Sequence, residues 1–159
     1  IVQALATRYG IDLAEQCRDL IMTWDELRVM AADPLVTIGA HTKDHFALAK
    51  LPVDEAVEQI VESADRLETE LGVRPVHFAY PYGDPGSAGT REFALTEGAG
   101  VRTAVTTRKG MLFPAHRDYL TALPRVSLNG EFQKLSYTSL YLTGAPFAIW
   151  NGFQQVDAA

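Results

Sequence analysis

Apolar positions at helical spacing predict two short helices near the start of the chain. Asp12 precedes a run that continues to Leu20, and this run begins with a residue suited to an N-cap. Thr23 and Glu26 form a capping-box pattern, which predicts that a second helix covers 24–32. The chain is therefore expected to open with helices.

Short apolar segments bounded by turn residues predict four strands farther along. The first follows Asp33-Pro34, because a proline disfavours helical geometry in the residue before it and so ends the second helix. The four predicted strands are Leu35 to Ile38, Val76 to Ala79, Val101 to Thr106 and Arg125 to Leu128.

Two further helices are predicted between these strands. Pro52 suits a first helical turn, and apolar residues then keep helical spacing up to Gly72. A Pro/Gly-rich loop, Pro81 to Gly89, leads into a helix from about Thr90 to Glu97. The alternation of strands and helices favours an α/β fold with parallel strands, which we expect to be a partial or distorted (β/α) barrel.

An incomplete barrel of this kind would leave one edge of its sheet exposed. The aromatic-rich stretch Tyr137 to Phe153 could cover that edge, mediate formation of a homodimer, or simply pack. The sequence leaves these three alternatives open.

Composition predicts one folded domain over 1–159. The chain has 159 residues, of which 47% are apolar, and this suffices for one core. The net charge of −6 and the lack of a basic run argue against nucleic acid as a partner. No apolar run is long enough for a transmembrane segment. Cys17 is the single cysteine, so an internal disulfide and a cysteine-held zinc are excluded.

The strongest candidate for chemistry is the histidine pair His41 and His45, which follows the first predicted strand. On a helical turn, residues four apart lie on one face, so both imidazoles could bind one divalent ion such as Zn²⁺ or Co²⁺. Histidines at this spacing also arise as exposed or capping residues. Their position at a strand end favours the metal role, because α/β folds carry their catalytic and binding residues there.

A second candidate is the tyrosine-containing loop after the next predicted strand. Tyr80, Pro81 and Tyr82 could line a substrate groove, since tyrosine rings stack well on sugars and apolar acyl groups. A backbone N–H held by Pro and Gly in this loop could point at a developing oxyanion. The alternative is a turn whose two tyrosines only pack.

Two further residues are weaker candidates. Arg125 interrupts an apolar strand, so it is expected to be buried against a carboxylate, in a catalytic or a structural role. His116 is expected on a loop, where it could donate a proton or simply be solvated. His77 lies within a predicted strand and has no companion that marks it as a ligand.

Two motifs in this order resemble the polysaccharide deacetylase (NodB-type) family. His41-Thr42-Lys43-Asp44-His45 matches the family's H-[ST]-x-x-H metal motif, and Phe78 to Gly83 matches the variant F-A-Y-P-Y-G of its next motif. The similarity covers roughly Met22 to Gly130 and includes Leu123-Pro124-Arg125-Val126.

The resemblance implies a metal-dependent hydrolase that removes N-acetyl, or sometimes O-acetyl, groups from an acetylated polysaccharide or oligosaccharide. It implies that His41 and His45 bind the metal together with an Asp, and that the Tyr82 N–H helps to hold the oxyanion. It implies an extracytoplasmic or cell-envelope setting without fixing the location.

The chain departs from the family pattern in its acidic residues. The family's T-F-D-D-G motif, which supplies the base and the third metal ligand before the histidines, does not occur here. The Leu-x-His motif that supplies the acid is not evident, so His116 would have to replace it. Ala79 stands where many members have an Arg, whose orienting role Arg125 could take over.

These departures lead to two main hypotheses. In the first, the chain is the C-terminal portion of an active deacetylase and is inactive alone. In the second, it is a non-catalytic carbohydrate-binding or assembly module that uses Tyr80, Tyr82 and the aromatic tail. An unrelated barrel hydrolase with an unrecognised carboxylate is a third reading.

Overall fold

A computed structural model of the chain describes residues 1–128, 130 and 132–157. Contacts divide the chain into two compact units, Ile1–Ile38 and Gly39–Ala159. The prediction of a single domain stays a prediction. In the described part, no helix combines the length and hydrophobicity that a bilayer span requires.

The first unit consists of three helices. Two of them confirm the predictions: α2 begins after Asp12, whose carboxylate accepts hydrogen bonds from the Ala14 and Glu15 N–H groups, and α3 begins with the predicted Thr23–Glu26 capping box. The first helix was not predicted. The bounds are α1 (Val2–Tyr9), α2 (Leu13–Leu20) and α3 (Trp24–Ala31).

The strand predicted at 35–38 is wrong. The Leu35 N–H donates to the Asp33 carboxylate and the Val36 N–H donates to the Asp33 carbonyl, so this segment forms a turn. Leu35 is 92% exposed, which a buried strand would not allow. Strand-like pairing begins only at Ala40, as a single parallel bridge to Phe78.

The second unit contains a three-stranded parallel sheet in the order β1-β2-β3, as the alternation of elements predicted. The first two strands overlap the predicted segments. The third begins two residues earlier than predicted, and its Leu123 pairs with Val105. The strands are β1 (His77–Ala79), β2 (Thr103–Lys109) and β3 (Leu123–Arg125). A closed barrel is not formed by the described residues.

The helices of the second unit include the long one that the sequence predicted between Pro52 and Gly72. Its apolar face packs Ala56 and Ile60 into a core with Phe78 and Tyr80 from the β1 region. The aromatic stretch near the C-terminus folds into two short helices. These four helices are α4 (Val53–Leu71), α5 (Thr90–Gly98), α6 (Leu135–Leu142) and α7 (Ala145–Trp150).

Candidate functional site

The histidine loop starts directly at the sheet. The Ala40 N–H donates to the His77 carbonyl at 2.8 Å, and the Ala79 N–H donates to the Ala40 carbonyl at 2.9 Å. A Cβ atom on Gly39 would lie 3.0 Å from the His77 carbonyl oxygen, so the chain passes close to β1 here. The loop that follows is therefore anchored beside the carboxyl end of β1.

The two histidines converge, but not on the helical turn that the spacing suggested. Thr42 and His45 have φ values of 64° and 60°, which are left-handed, and the His45 N–H donates to Thr42 Oγ1 at 3.0 Å. The chain thus folds back on itself. The imidazole centroids of His41 and His45 are 4.8 Å apart, with the rings at 72° to each other and both residues exposed.

The orientation of the His41 ring is set by a backbone contact. Its Nδ1 lies 2.7 Å from the carbonyl oxygen of Ala79, which can only accept, so Nδ1 carries the proton. The lone pair then resides on Nε2, the arrangement that metal-binding imidazoles commonly show.

Gln59, on α4, holds the histidine loop from the other side. Its side-chain amide donates to Asp44 Oδ2 at 2.7 Å and accepts from the Asp44 N–H at 2.9 Å. Its backbone carbonyl accepts from the Lys43 N–H at 3.1 Å. Sequence reasoning missed this residue. Its signal was a polar side chain on the apolar face that Ala56 and Ile60 define.

Tyr82 lies next to the pair, as the order of the motifs suggested. Its ring centroid is 5.3 Å from that of His45, and the residue is 49% exposed. The following Gly83 packs against β2 so closely that an added Cβ would lie 2.2 Å from the Thr107 nitrogen. Pro81, before Tyr82, is half-buried. The loop therefore presents one tyrosine beside the imidazoles.

Tyr80 does not line a groove, which corrects the prediction that it binds substrate. It is 1% exposed, its ring packs on Phe78 and Phe93, and its hydroxyl donates to the Thr121 carbonyl at 2.9 Å. Burial raises the pKa of this hydroxyl. Its ring faces are unavailable for stacking on a sugar.

Arg125 and His116 also depart from expectation. Arg125 is the exposed last residue of β3, directly after the buried Pro124, and no ion pair to it is seen in the described part of the chain. His116 is 2% exposed in a short 3₁₀ helix. Its Nδ1 accepts from the Phe113 N–H at 2.9 Å, and its Nε2 faces the Val156 carbonyl at 2.7 Å. With both nitrogens engaged, His116 has a structural position.

The described residues bring two candidate metal ligands together, but they offer no third one beside them. Two imidazoles with centroids 4.8 Å apart, one with its Nε2 lone pair available, fit a divalent ion of the zinc type. Within 1–128, 130 and 132–157, no group of three or more His, Cys, Asp or Glu side chains could hold a metal. The residues therefore fit part of a metal site.

The fold is shared with solved deacetylase structures. A Streptococcus pyogenes deacetylase, PplD, in complex with acetate matches with a TM-score of 0.65 and 20% identity over 77% of this chain and 50% of that one. IcaB from Ammonifex degensii matches with a TM-score of 0.59 and 22% identity, covering 76% of this chain and 52% of that one.

A third structure, a de-N-acetylase from Aggregatibacter actinomycetemcomitans, gives a TM-score of 0.62 and 16% identity over 78% of this chain and 54% of that one. The chain thus spans about half the length of the solved structures it matches. At these identities the likeness shows the fold. A comparison with curated protein sequences gave no significant match.

A family model provides the direct sequence evidence. The model described as polysaccharide deacetylase matches residues 4–102, which include both the histidine loop and the Tyr82 loop. This match spans more than half of the 159 residues. The chain belongs to the polysaccharide deacetylase family.

Proposed function

We propose that this chain is part of an enzyme that removes acetyl groups, N-linked or O-linked, from an acetylated polysaccharide with the help of a divalent metal. Membership of the deacetylase family supports the reaction class. The ligand set is incomplete among the described residues, which supports a further point, that the chain alone is inactive and that a longer parent protein completes the site.

The observation that carries this proposal is the fixed geometry of the histidine pair. The Ala79 carbonyl accepts a hydrogen bond from His41 Nδ1–H, so the Nε2 lone pair is available. His45 places a second imidazole beside it, with the ring centroids 4.8 Å apart. Such an arrangement is expected of metal ligands, and both residues are exposed, so an ion can reach them.

The two histidines and Tyr82 would have separate roles in this reaction. His41 and His45 would hold the ion, for which zinc, or alternatively cobalt, is the expected identity. When bound, such an ion supplies Lewis acidity toward the acetyl carbonyl. The Tyr82 N–H would donate to the developing oxyanion, and the Tyr82 ring would contact the sugar or the acetyl methyl group. The base and the third ligand are assigned to no residue of this chain.

Acetate release from acetylated chitooligosaccharides tests the proposal. The isolated chain should release none, whereas the longer parent should release acetate and lose this activity with His41→Ala or His45→Ala. His77→Ala, in the same sheet but hydrogen-bonded to Thr103, is the matched control and should remain active. A parent that releases no acetate with any metal would refute the assignment, and robust release by the isolated chain would refute its inactivity.

Metal binding can be tested on the isolated chain without any activity. Calorimetric titration with Zn²⁺ should show binding much weaker than at a three-ligand site, and His41→Ala should abolish it. The His77→Ala variant should bind as the unchanged chain does. Equal binding by the His41→Ala chain would contradict the assigned ligands.

The lack of a third ligand among the described residues favours one alternative, a module that binds carbohydrate without hydrolysing it. It would use the exposed Tyr82 beside the imidazoles. A parent that binds acetylated oligosaccharides but releases no acetate would replace the hydrolase with this module.

A further inference from the structure

Trp150, at the end of α7, is a large aromatic side chain that the sheet holds in place but does not cover. It is 71% exposed. The Lys109 ammonium lies 4.6 Å from the centroid of its ring, and the neighbouring Asn151 donates from Nδ2 to the Lys109 carbonyl at 2.9 Å. Both contacts attach the end of α7 to the last residue of β2.

The same end of β2 carries the Tyr82 loop. Gly83 packs directly on the backbone of Thr106 and Thr107, and the Thr107 N–H faces the Gly83 carbonyl at 3.4 Å. Lys109 is two residues farther along β2, which is about 7 Å at the usual rise of a strand. Tyr82 and Trp150 are therefore attached to neighbouring points near the carboxyl end of β2, the central strand of the sheet.

We propose that Trp150 is a second carbohydrate contact, which binds a sugar of the polysaccharide adjacent to the one held at Tyr82 and the histidine pair. This inference rests on the proposed function, because it takes the occupant of the Tyr82 region to be an acetylated polysaccharide. It adds the residue that would contact the neighbouring sugar.

The chemistry around the ring fits a sugar. The ammonium of Lys109 lies over the indole ring, and at 71% exposure most of the residue stays accessible to the C–H groups of a pyranose. In the part of the chain that the structure describes, Lys109 forms no ion pair, so its N–H groups are available to sugar hydroxyls. An aromatic face bordered by hydrogen-bond donors suits an amphipathic ring with polar edges.

Fluorescence can report on Trp150 alone, because the chain has two tryptophans and the other is Trp24. In a Trp24→Phe chain, titration with a long acetylated chitooligosaccharide should shift the emission of Trp150. Calorimetry should show that Trp150→Ala weakens binding of this oligosaccharide about tenfold, since stacking on an aromatic ring contributes about that factor. Trp150→Phe should retain much of the affinity.

Monomeric N-acetylglucosamine is the discriminating probe, because one sugar cannot contact Tyr82 and Trp150 together. Its affinity should fall with Tyr82→Ala and stay unchanged with Trp150→Ala. The Trp24→Phe chain serves as the matched control and should bind both ligands normally.

Three outcomes would overturn the proposal. In the first, the Trp150→Ala chain binds the oligosaccharide as tightly as the unchanged chain does. In the second, the unchanged chain does not bind the oligosaccharide. In the third, the Trp150→Ala chain differs from the unchanged chain only in its sedimentation. The last would mean that a second copy of the chain covers the ring. Failure of acetate release by the parent would refute the hydrolase, and it would leave the effect of Trp150 on binding intact.

Discussion

Gly83 is the residue at which the Tyr82 loop meets the backbone of β2. An added Cβ would lie 2.2 Å from the Thr107 nitrogen and 2.7 Å from the Thr106 Cα. These are backbone atoms, so they cannot move aside as a flexible side chain would. Glycine is required here because of close approach and not because of an unusual φ.

We expect Gly83→Ala to lower the free energy of unfolding by about 1–3 kcal/mol, the usual cost of overpacking. Urea denaturation measures the change. Gly98→Ala, where no atom lies within 4 Å of the added Cβ, is the control and should be neutral or slightly stabilising because alanine favours helix. Equal stability of the Gly83→Ala chain would show that the loop can move away from β2.

At the same scale, the sequence predicted the histidines from their position after an apolar segment and before a second motif. It could not distinguish Tyr80 from Tyr82, because both follow the same strand. The difference depends on long-range packing: Tyr80 packs on Phe93 and bonds to Thr121, whereas Tyr82 lies beside His45. Contacts so distant in sequence leave no local signal.

Among the elements, β2 and the segment around Asp157 are joined by a buried ion pair. Arg108 Nη1 donates to Asp157 Oδ1, and both side chains are 13% exposed. Arg108 also donates to the Ala88 carbonyl and lies over the Phe93 ring, so it links the strand with the loop that precedes α5. Asp157 Oδ2 has no hydrogen-bond partner among the described residues.

Burial raises the pKa of Asp157, although Arg108 acts in the opposite direction. A carboxyl with a raised pKa in the folded state stabilises the fold most below its unfolded pKa of about 3.9, and this contribution is lost as the pH rises through the folded value. We therefore expect the unchanged chain to lose stability relative to Asp157→Asn as the pH increases from about 4.

Urea denaturation over a pH series measures this difference. Asp118→Asn is the matched control, because Asp118 pairs with Arg117 at 3.7 Å on the surface and its side chain is 71% exposed. The control should follow the pH profile of the unchanged chain. Parallel profiles for Asp157→Asn and the unchanged chain would contradict the prediction.

The helices were more predictable than the strands. Capping residues and apolar spacing are local, so α3 begins after Thr23 and α4 ends before Gly72 as expected. Strands depend on partners that are distant in sequence. The segment at 35–38 has the composition of a strand but forms a turn, whereas Leu123 pairs with Val105 despite the adjacent Pro124. That proline suits an edge strand because it cannot donate to a ladder.

In the whole molecule, the principal core lies within the unit that begins at Gly39. Its members include Leu48, Ile60, Phe78 and Tyr80, and all of them come after residue 38. Parallel pairing was predictable from the alternation of strands and helices. The division into two compact units was not, because the composition shows no linker between them.

A chain that starts at Gly39 should therefore fold. We expect it to keep a cooperative urea transition, with an unfolding free energy within about 2 kcal/mol of that of the full chain, because it retains this core. Circular dichroism follows the transition. Ile60→Ala in the shortened chain is the control and should lower stability by about 2–5 kcal/mol. Loss of the cooperative transition on shortening would show that residues 1–38 are needed for folding.

The contact between His41 and Ala79 links a side-chain proton to the alignment of the sheet. Side chains and carbonyls alternate in direction along a strand, so sliding β1 by one residue past Ala40 would turn the accepting oxygen away from His41. The Nδ1 proton would then lose its acceptor and the imidazole its fixed tautomer. The nitrogen chemical shifts of this one ring would thus report, in solution, whether the strand is paired in its native register.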